Sequence, residues 1–185
     1  MSQIILTGFD ERPPPPLGRA VYSPSEEFRY LLTRELGGTS TVVFVMLNPS
    51  TATAEKNDPT ISRCIEFAKR WGFGRLVILN LCAYRQTKPA LMFKRWKLGL
   101  DIVGSDNDAT IEREVRAADR VVLAWGANAG HKALRARARH VVALIQRASR
   151  TPPLVLRHTK DGHPEHPLYI PGAIVPVQFN PAIYG

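Results

Sequence analysis

Polar residues at three places in the chain stand where chemistry could be done. Asn48 ends the apolar run "VVFVML" and is followed by Pro49, Ser50 and Thr51 in "MLNPSTA". Pro49 holds the preceding residue extended and stops a strand ladder, which aims the Asn48 amide over the strand end. Such an amide can hold a water or a ligand carbonyl, although an ordinary polar turn also accounts for it. Asn80 interrupts the apolar run "LVILNL". A buried amide left without partners costs about 1–3 kcal/mol. A core network could satisfy it, and a pocket-facing amide would match the edge of a nucleobase. His163 and His166 lie with Tyr169 in "DGHPEHPLYIPG". No further Cys or His stands at ligand spacing, so no metal site and no cofactor is expected. A histidine hydrogen bond can instead stabilise charge building on a leaving group. A structural histidine also fits the loop.

Other chemistries lose their support. No strand leads into a GxxxxGK[ST] phosphate loop or a GxGxxG turn, which removes the main signs of kinases, GTPases and dinucleotide enzymes. Cys64 and Cys82 make no CxxC pair and are too few for an all-cysteine iron–sulfur cluster. No apolar run reaches the ~18 residues of a membrane span, and the N-terminus lacks the regions of a secretory signal. A cytoplasmic protein is expected. The formal charge of +9 and pI of about 10.0 favour a polyanion, nucleic acid first. Residues 83–100 hold Arg85, Lys88, Lys94, Arg95 and Lys97 with Phe93 and Trp96 interleaved, a composition that grips phosphates and stacks bases. Residues 130–150 are similarly basic; a solvated helix face would read the same way.

The elements that must position these residues alternate. Four apolar runs read as buried strands: 41–47, 75–81, 120–126 and 153–159. Helices are expected at 58–71, 107–118 and 130–149, the first capped by Asp58, opened by Pro59 and ended by Gly72 and Gly74. Residues 25–36 could be helix or strand. The four prolines at 13–16 suggest a stiff arm over residues 1–24, before a single α/β domain at 25–185. The pattern predicts a three-layer α/β/α domain around a mainly parallel four-stranded sheet. Ligands then bind outside the carboxyl ends of the strands, which selects Pro49, Ser50, Thr51, Asn80, Trp125, Gly126 and Tyr169 beside Asn48 and the histidines.

The motifs "MLNPSTA", "DPTISRC", "NLCAYRQTKP", "AWG" and "HPEHPLY", in that order, resemble a bacterial and phage family catalogued as a domain of unknown function. More distantly, the series resembles the uracil-DNA glycosylase superfamily through "LNPS", "ILNLCAYR", "VVLAWGANA" and "HPEHPL". That resemblance implies a uracil-DNA glycosylase-like fold. Asn48 would position water, Asn80 would read the base, and His166 or His163 would stabilise the oxyanion. Leu168 and Tyr169 would lie where the wedge that enters DNA begins. Ser50 replaces the Tyr or Gly usual after the motif proline, and "HPEHPL" replaces His-Pro-Ser-Pro. Phe44, Phe67 and Phe73 are the aromatics open to a base-stacking role.

The expected function is therefore a DNA glycosylase-like hydrolase that flips out a modified or damaged base, with the basic tracts and Leu168 touching DNA. A non-catalytic nucleic-acid or nucleotide-binding module, and a hydrolase of free nucleosides or nucleotides, are the rival readings.

Overall fold

The computed structural model describes residues 18–184; the proline run at 13–16 lies outside them. Seven strands form one sheet: β1 (Ala20–Tyr22), β2 (Arg29–Glu35), β3 (Thr41–Met46), β4 (Arg75–Asn80), β5 (Arg120–Leu123), β6 (Leu154–Val155) and β7 (Val177–Gln178). The helices are α1 (Pro59–Arg70), α2 (Pro89–Lys97), α3 (Asn107–Ala117) and α4 (Lys132–Ala148). The spatial order is β1-β2-β4-β3-β5-β6-β7.

The expected four-stranded sheet is corrected to seven strands. The four expected strands form its parallel centre, β4-β3-β5-β6. β2 and β1 extend one side and β7 the other, each antiparallel to its neighbour. The undecided 25–36 segment is β2, and β1 falls within the stretch assigned to the arm. β1 and β7 are too short to show a clear hydrophobic period, and pairing to their neighbours defines them, while β6 takes only Leu154–Val155 of the expected 153–159 run. α2 lies within the basic tract at 83–100, whose sequence carries no helix expectation.

Alternation along the central strands explains why both faces are covered. Val43, Val45, Val77, Leu79, Val121 and Leu123 join Ile111 and Val115 of α3 and Leu134, Val141 and Ile145 of α4 in one core. Val42, Phe44, Leu76, Ile78 and Val122 join Ile61, Cys64 and Phe67 of α1 in the other.

α1 starts and stops as its sequence dictates. The Ile61 N–H donates to Asp58 Oδ1 at 2.9 Å, satisfying one of the free donors of the first turn. At the other end Gly72 takes φ +78°. Its N–H donates to Lys69 O and the Phe73 N–H to Ala68 O, the paired closure that a left-handed glycine permits.

The chain runs from β3 through α1 to β4 on one side, then crosses back to β5 on the other. The loops after β3 and β5 therefore leave toward opposite faces and open a crevice between them.

Candidate functional site

That crevice is a cleft of about 570 Å³, within the usual range for small-ligand sites. Its apolar floor includes Met46 and Ile78 at strand ends, and Trp125 and Ile61. Polar groups ring it from five segments.

Asn48 leaves β3 half-buried. Its Nδ2 donates to Gln86 O at 2.5 Å and Pro49 O at 3.0 Å. The Gln86 N–H returns a bond to Pro49 O, so the two loops are laced together. Both carbonyl bonds use Nδ2, so Oδ1 is the amide atom left for a water or ligand donor.

Asn80 closes β4 at 2 % exposure and lines the cleft. Its Nδ2 is buried with no hydrogen-bond partner. The neighbouring Asn107 amide serves the backbone, donating to Asn80 O and Leu81 O at 3.1 Å each, and leaves the Asn80 side chain alone.

Trp125 and Gly126 follow β5 into the cleft wall. Gly126 adopts φ +77°, and a Cβ there would lie 3.4 Å from the His166 Cβ. Its N–H donates to Pro164 O at 2.8 Å. This close approach brings the His-Pro loop onto the strand end.

The structure separates the two histidines. His166 lines the cleft. The Leu168 N–H donates to its Nδ1 at 3.4 Å, so in the neutral ring the proton sits on Nε2 and that nitrogen is a donor. Burial pushes the His166 pKa down, against a smaller upward pull from Asp58. His163 lies behind, outside the cleft lining. Its Nδ1 meets the Tyr184 hydroxyl at 2.7 Å, and that hydroxyl also accepts from Trp125 Nε1 at 2.9 Å. Burial pushes the Tyr184 phenol up to about 12, so it acts here as a neutral strut behind Trp125.

Of the other expected residues, Ser50 and Tyr169 line the cleft. Tyr169 is 72 % exposed at its mouth. Pro49 is buried behind Asn48. Thr51 is exposed on a shallow neighbouring groove that also includes Arg85. Leu168 is exposed and outside the cleft lining. Phe44 and Phe67 belong to the core around α1, both stacked on Trp71, and Phe73 packs against the same cluster. The aromatics at the cleft are Trp125 and Tyr169.

The basic tract at 83–100 divides. Arg85 donates to Glu26 O at 2.9 Å and covers the Tyr22 ring. Arg95 pairs with Glu27 at 3.3 Å, donates to Asp101 O and covers Tyr84. Lys88, Lys94 and Lys97 are exposed. In α4, Arg137 donates from Nε to Leu81 O at 2.7 Å and pairs with Asp108 at 2.5 Å.

Several cleft residues escaped the sequence reading: Arg29, Asp58, Asn128, Thr159 and Glu165. Asp58 had a visible signal as a helix cap, and its position at the cleft wall needed the fold. Glu165 is held by a two-point ion pair with Arg157, 2.6 and 3.0 Å, which keeps its carboxyl below the usual range. Both cysteines are buried. Burial raises both thiols, Cys82 to about 12, so neither is a ready nucleophile. Among the described residues no group of three or more His, Cys, Asp or Glu could hold a metal, and no helix is long and apolar enough to cross a membrane.

A family model described as "Protein of unknown function (DUF1643)" matches residues 29–168. The chain belongs to the DUF1643 family. The DUF1643 match begins at Arg29, the first residue of β2, and takes in Asn48, Asn80, Trp125, Gly126 and His166; Tyr169 and Tyr184 fall beyond it. No curated protein and no solved structure matches the chain.

Proposed function

We propose that the chain hydrolyses the N-glycosidic bond of a modified or damaged base in DNA, as a distant likeness of the uracil-DNA glycosylases. The supporting observation is one cleft that gathers the Asn48 amide, the unpartnered Asn80 Nδ2 and His166 at the carboxyl ends of the parallel strands. The base enters the cleft after leaving the stack. Asn80 hydrogen-bonds its edge. Asn48 Oδ1 accepts from a water and holds it against C1′. The C1′–N bond breaks and its electron pair leaves on the base. The His166 Nε2–H stabilises that charge. The water oxygen bonds to C1′, its released proton passes to the base or solvent, and the products are an abasic sugar and a free base. Asn48 is no strong base, so turnover is slow compared with a carboxylate at this position.

The test is a screen of duplex and single-stranded DNAs carrying varied modified bases, scored for free base and for alkali-sensitive abasic sites. Base release that falls at least about 100-fold in Asn48→Ala, with unchanged circular dichroism, supports the assignment; full activity in that variant sinks it. The internal engagement of Arg85 and Arg95 favours one second reading, a hydrolase of free nucleosides. Activity on nucleosides that ignores salt, with no duplex binding, would select it.

A further inference from the structure

Two arginines of β2 reach the same loop, and only one is satisfied. Arg34 is saturated: Nε donates to Asn57 Oδ1 at 2.7 Å, Nη1 to Thr33 O at 2.7 Å, and Nη2 to Thr53 O at 2.6 Å and Lys56 O at 3.2 Å. Residues five apart face opposite sides of a regular strand. Here Val21 pairs with Leu31 but Tyr22 with Arg29, so Tyr30 is an extra residue. A bulge of this kind re-aims a side chain, and it brings Arg29 to the side of Arg34.

Arg29 lines the cleft at 2 % exposure. Its Nη1 donates to Ala52 O at 2.6 Å, while its Nε is buried without a partner. No carboxylate forms an ion pair with it among the described residues. Burial lowers its pKa to about 10, so it stays cationic through neutral pH. A buried cation is costly unless paired, and a single carbonyl tie to Ala52 leaves most of that cost standing.

We propose that Arg29 is the anion-binding group of the cleft and that the base taken there is acidic and oxo-rich, of the xanthine or urate kind. The proposal rests on reading the cleft as a base pocket. Asp58 and Glu165 also line the cleft, Asp58 accepting from the Ile61 N–H and Glu165 held by Arg157. The donors there include the Arg29 guanidinium, the orphaned Asn80 amide and His166 Nε2. A ligand facing them must present acceptors, and an amino-bearing edge such as that of adenine sets donor against donor. The cleft volume admits a purine. On cleavage, the electron pair leaves on the base, where a fixed cation stabilises it.

The experiment is calorimetric titration of the full chain near neutral pH with urate, xanthine, adenine and inorganic phosphate, repeated on Arg29→Gln and Arg29→Lys. The expected result is urate and xanthine binding at least about tenfold tighter than adenine. That preference disappears in Arg29→Gln and persists in part in Arg29→Lys, with phosphate failing to displace urate. Equal binding of adenine and urate by the unaltered chain overturns the proposal, and this comparison needs no variant to fold. So does unchanged urate binding by a folded Arg29→Gln, or the absence of any base binding. Displacement of urate by phosphate overturns the base assignment and gives Arg29 to a phosphate group. Base binding that survives a negative screen of modified DNAs would remove the glycosylase reading while leaving Arg29 in its role.

Discussion

Asn80 lines the cleft and its buried Nδ2 has no partner, so the folded chain carries the cost of a desolvated donor. Replacing Asn80 with leucine, a side chain of similar volume, removes that orphan and leaves the backbone bonds from Asn107 intact. We expect Asn80→Leu to unfold at the same temperature as the natural chain or higher, with up to about 1–3 kcal/mol gained, and to lose base binding; thermal denaturation and base titration together check it. A lower melting temperature would mean that the amide has a structural partner. His166 gives a second test. Its folded pKa lies below the ordinary value of about 6.5. Protonation would put a second N–H on Nδ1, against the Leu168 N–H that donates there, so the neutral ring is the form held in place with Nε2–H as its donor. Activity should therefore be level through neutral pH and fall only as pH drops below that value. The same shift has a stability consequence: the unfolded chain takes up the proton first, so stability declines as pH falls through about 6.5 toward the folded pKa. A rate that rises with acidification across this window would exclude neutral His166 as the donor. The two histidines were alike in sequence, since both precede a proline. Only the contact of His163 with Tyr184, 21 residues away, tells them apart.

Strand ends and caps place these residues. Gly126 combines φ +77° with ψ 176°, a region open essentially to glycine, and sits against His166, so Gly126→Ala should cost about 1–3 kcal/mol in backbone strain and displace the histidine. Chemical denaturation reads the first effect, and a drop in activity beyond the loss of folded protein reads the second. Much at this level was legible. Asp58, Pro59 and Gly72 mark α1 by mechanisms that act within a few residues, and the continuous apolar runs mark the parallel centre of the sheet. β2 was ambiguous because its two arginines break the apolar pattern, and both are buried here by serving one loop. The bulge at Tyr30 has no glycine to announce it. It follows from pairing with β1, and with it goes the whole placement of Arg29.

For the molecule as a whole, the net charge of +9 does not say which cations are free to meet a polyanion: Arg85, Arg95 and Arg137 are engaged within the chain. Lys88, Lys94 and Lys97 are the exposed cations of the 83–100 tract. If DNA lies across them, replacing all three with alanine should reduce the salt slope of binding by up to about 3 while shifting stability by no more than about 0.5 kcal/mol; fluorescence titration over a salt series measures the first and denaturant unfolding the second. An unchanged slope would place DNA on another face. The amino-acid order alone carried the α/β class, the central strands, the capped α1 and the polar strand ends, because each rests on periodicity or on chemistry local to a few residues. The count of seven strands, the place of His163 outside the cleft lining, the orphaned Asn80 amide and the absence of an ion pair at Arg29 among the described residues were decided by tertiary contacts. Burial and hydrogen-bond satisfaction depend on partners distant in the chain, and no local pattern records which polar groups will be left without one.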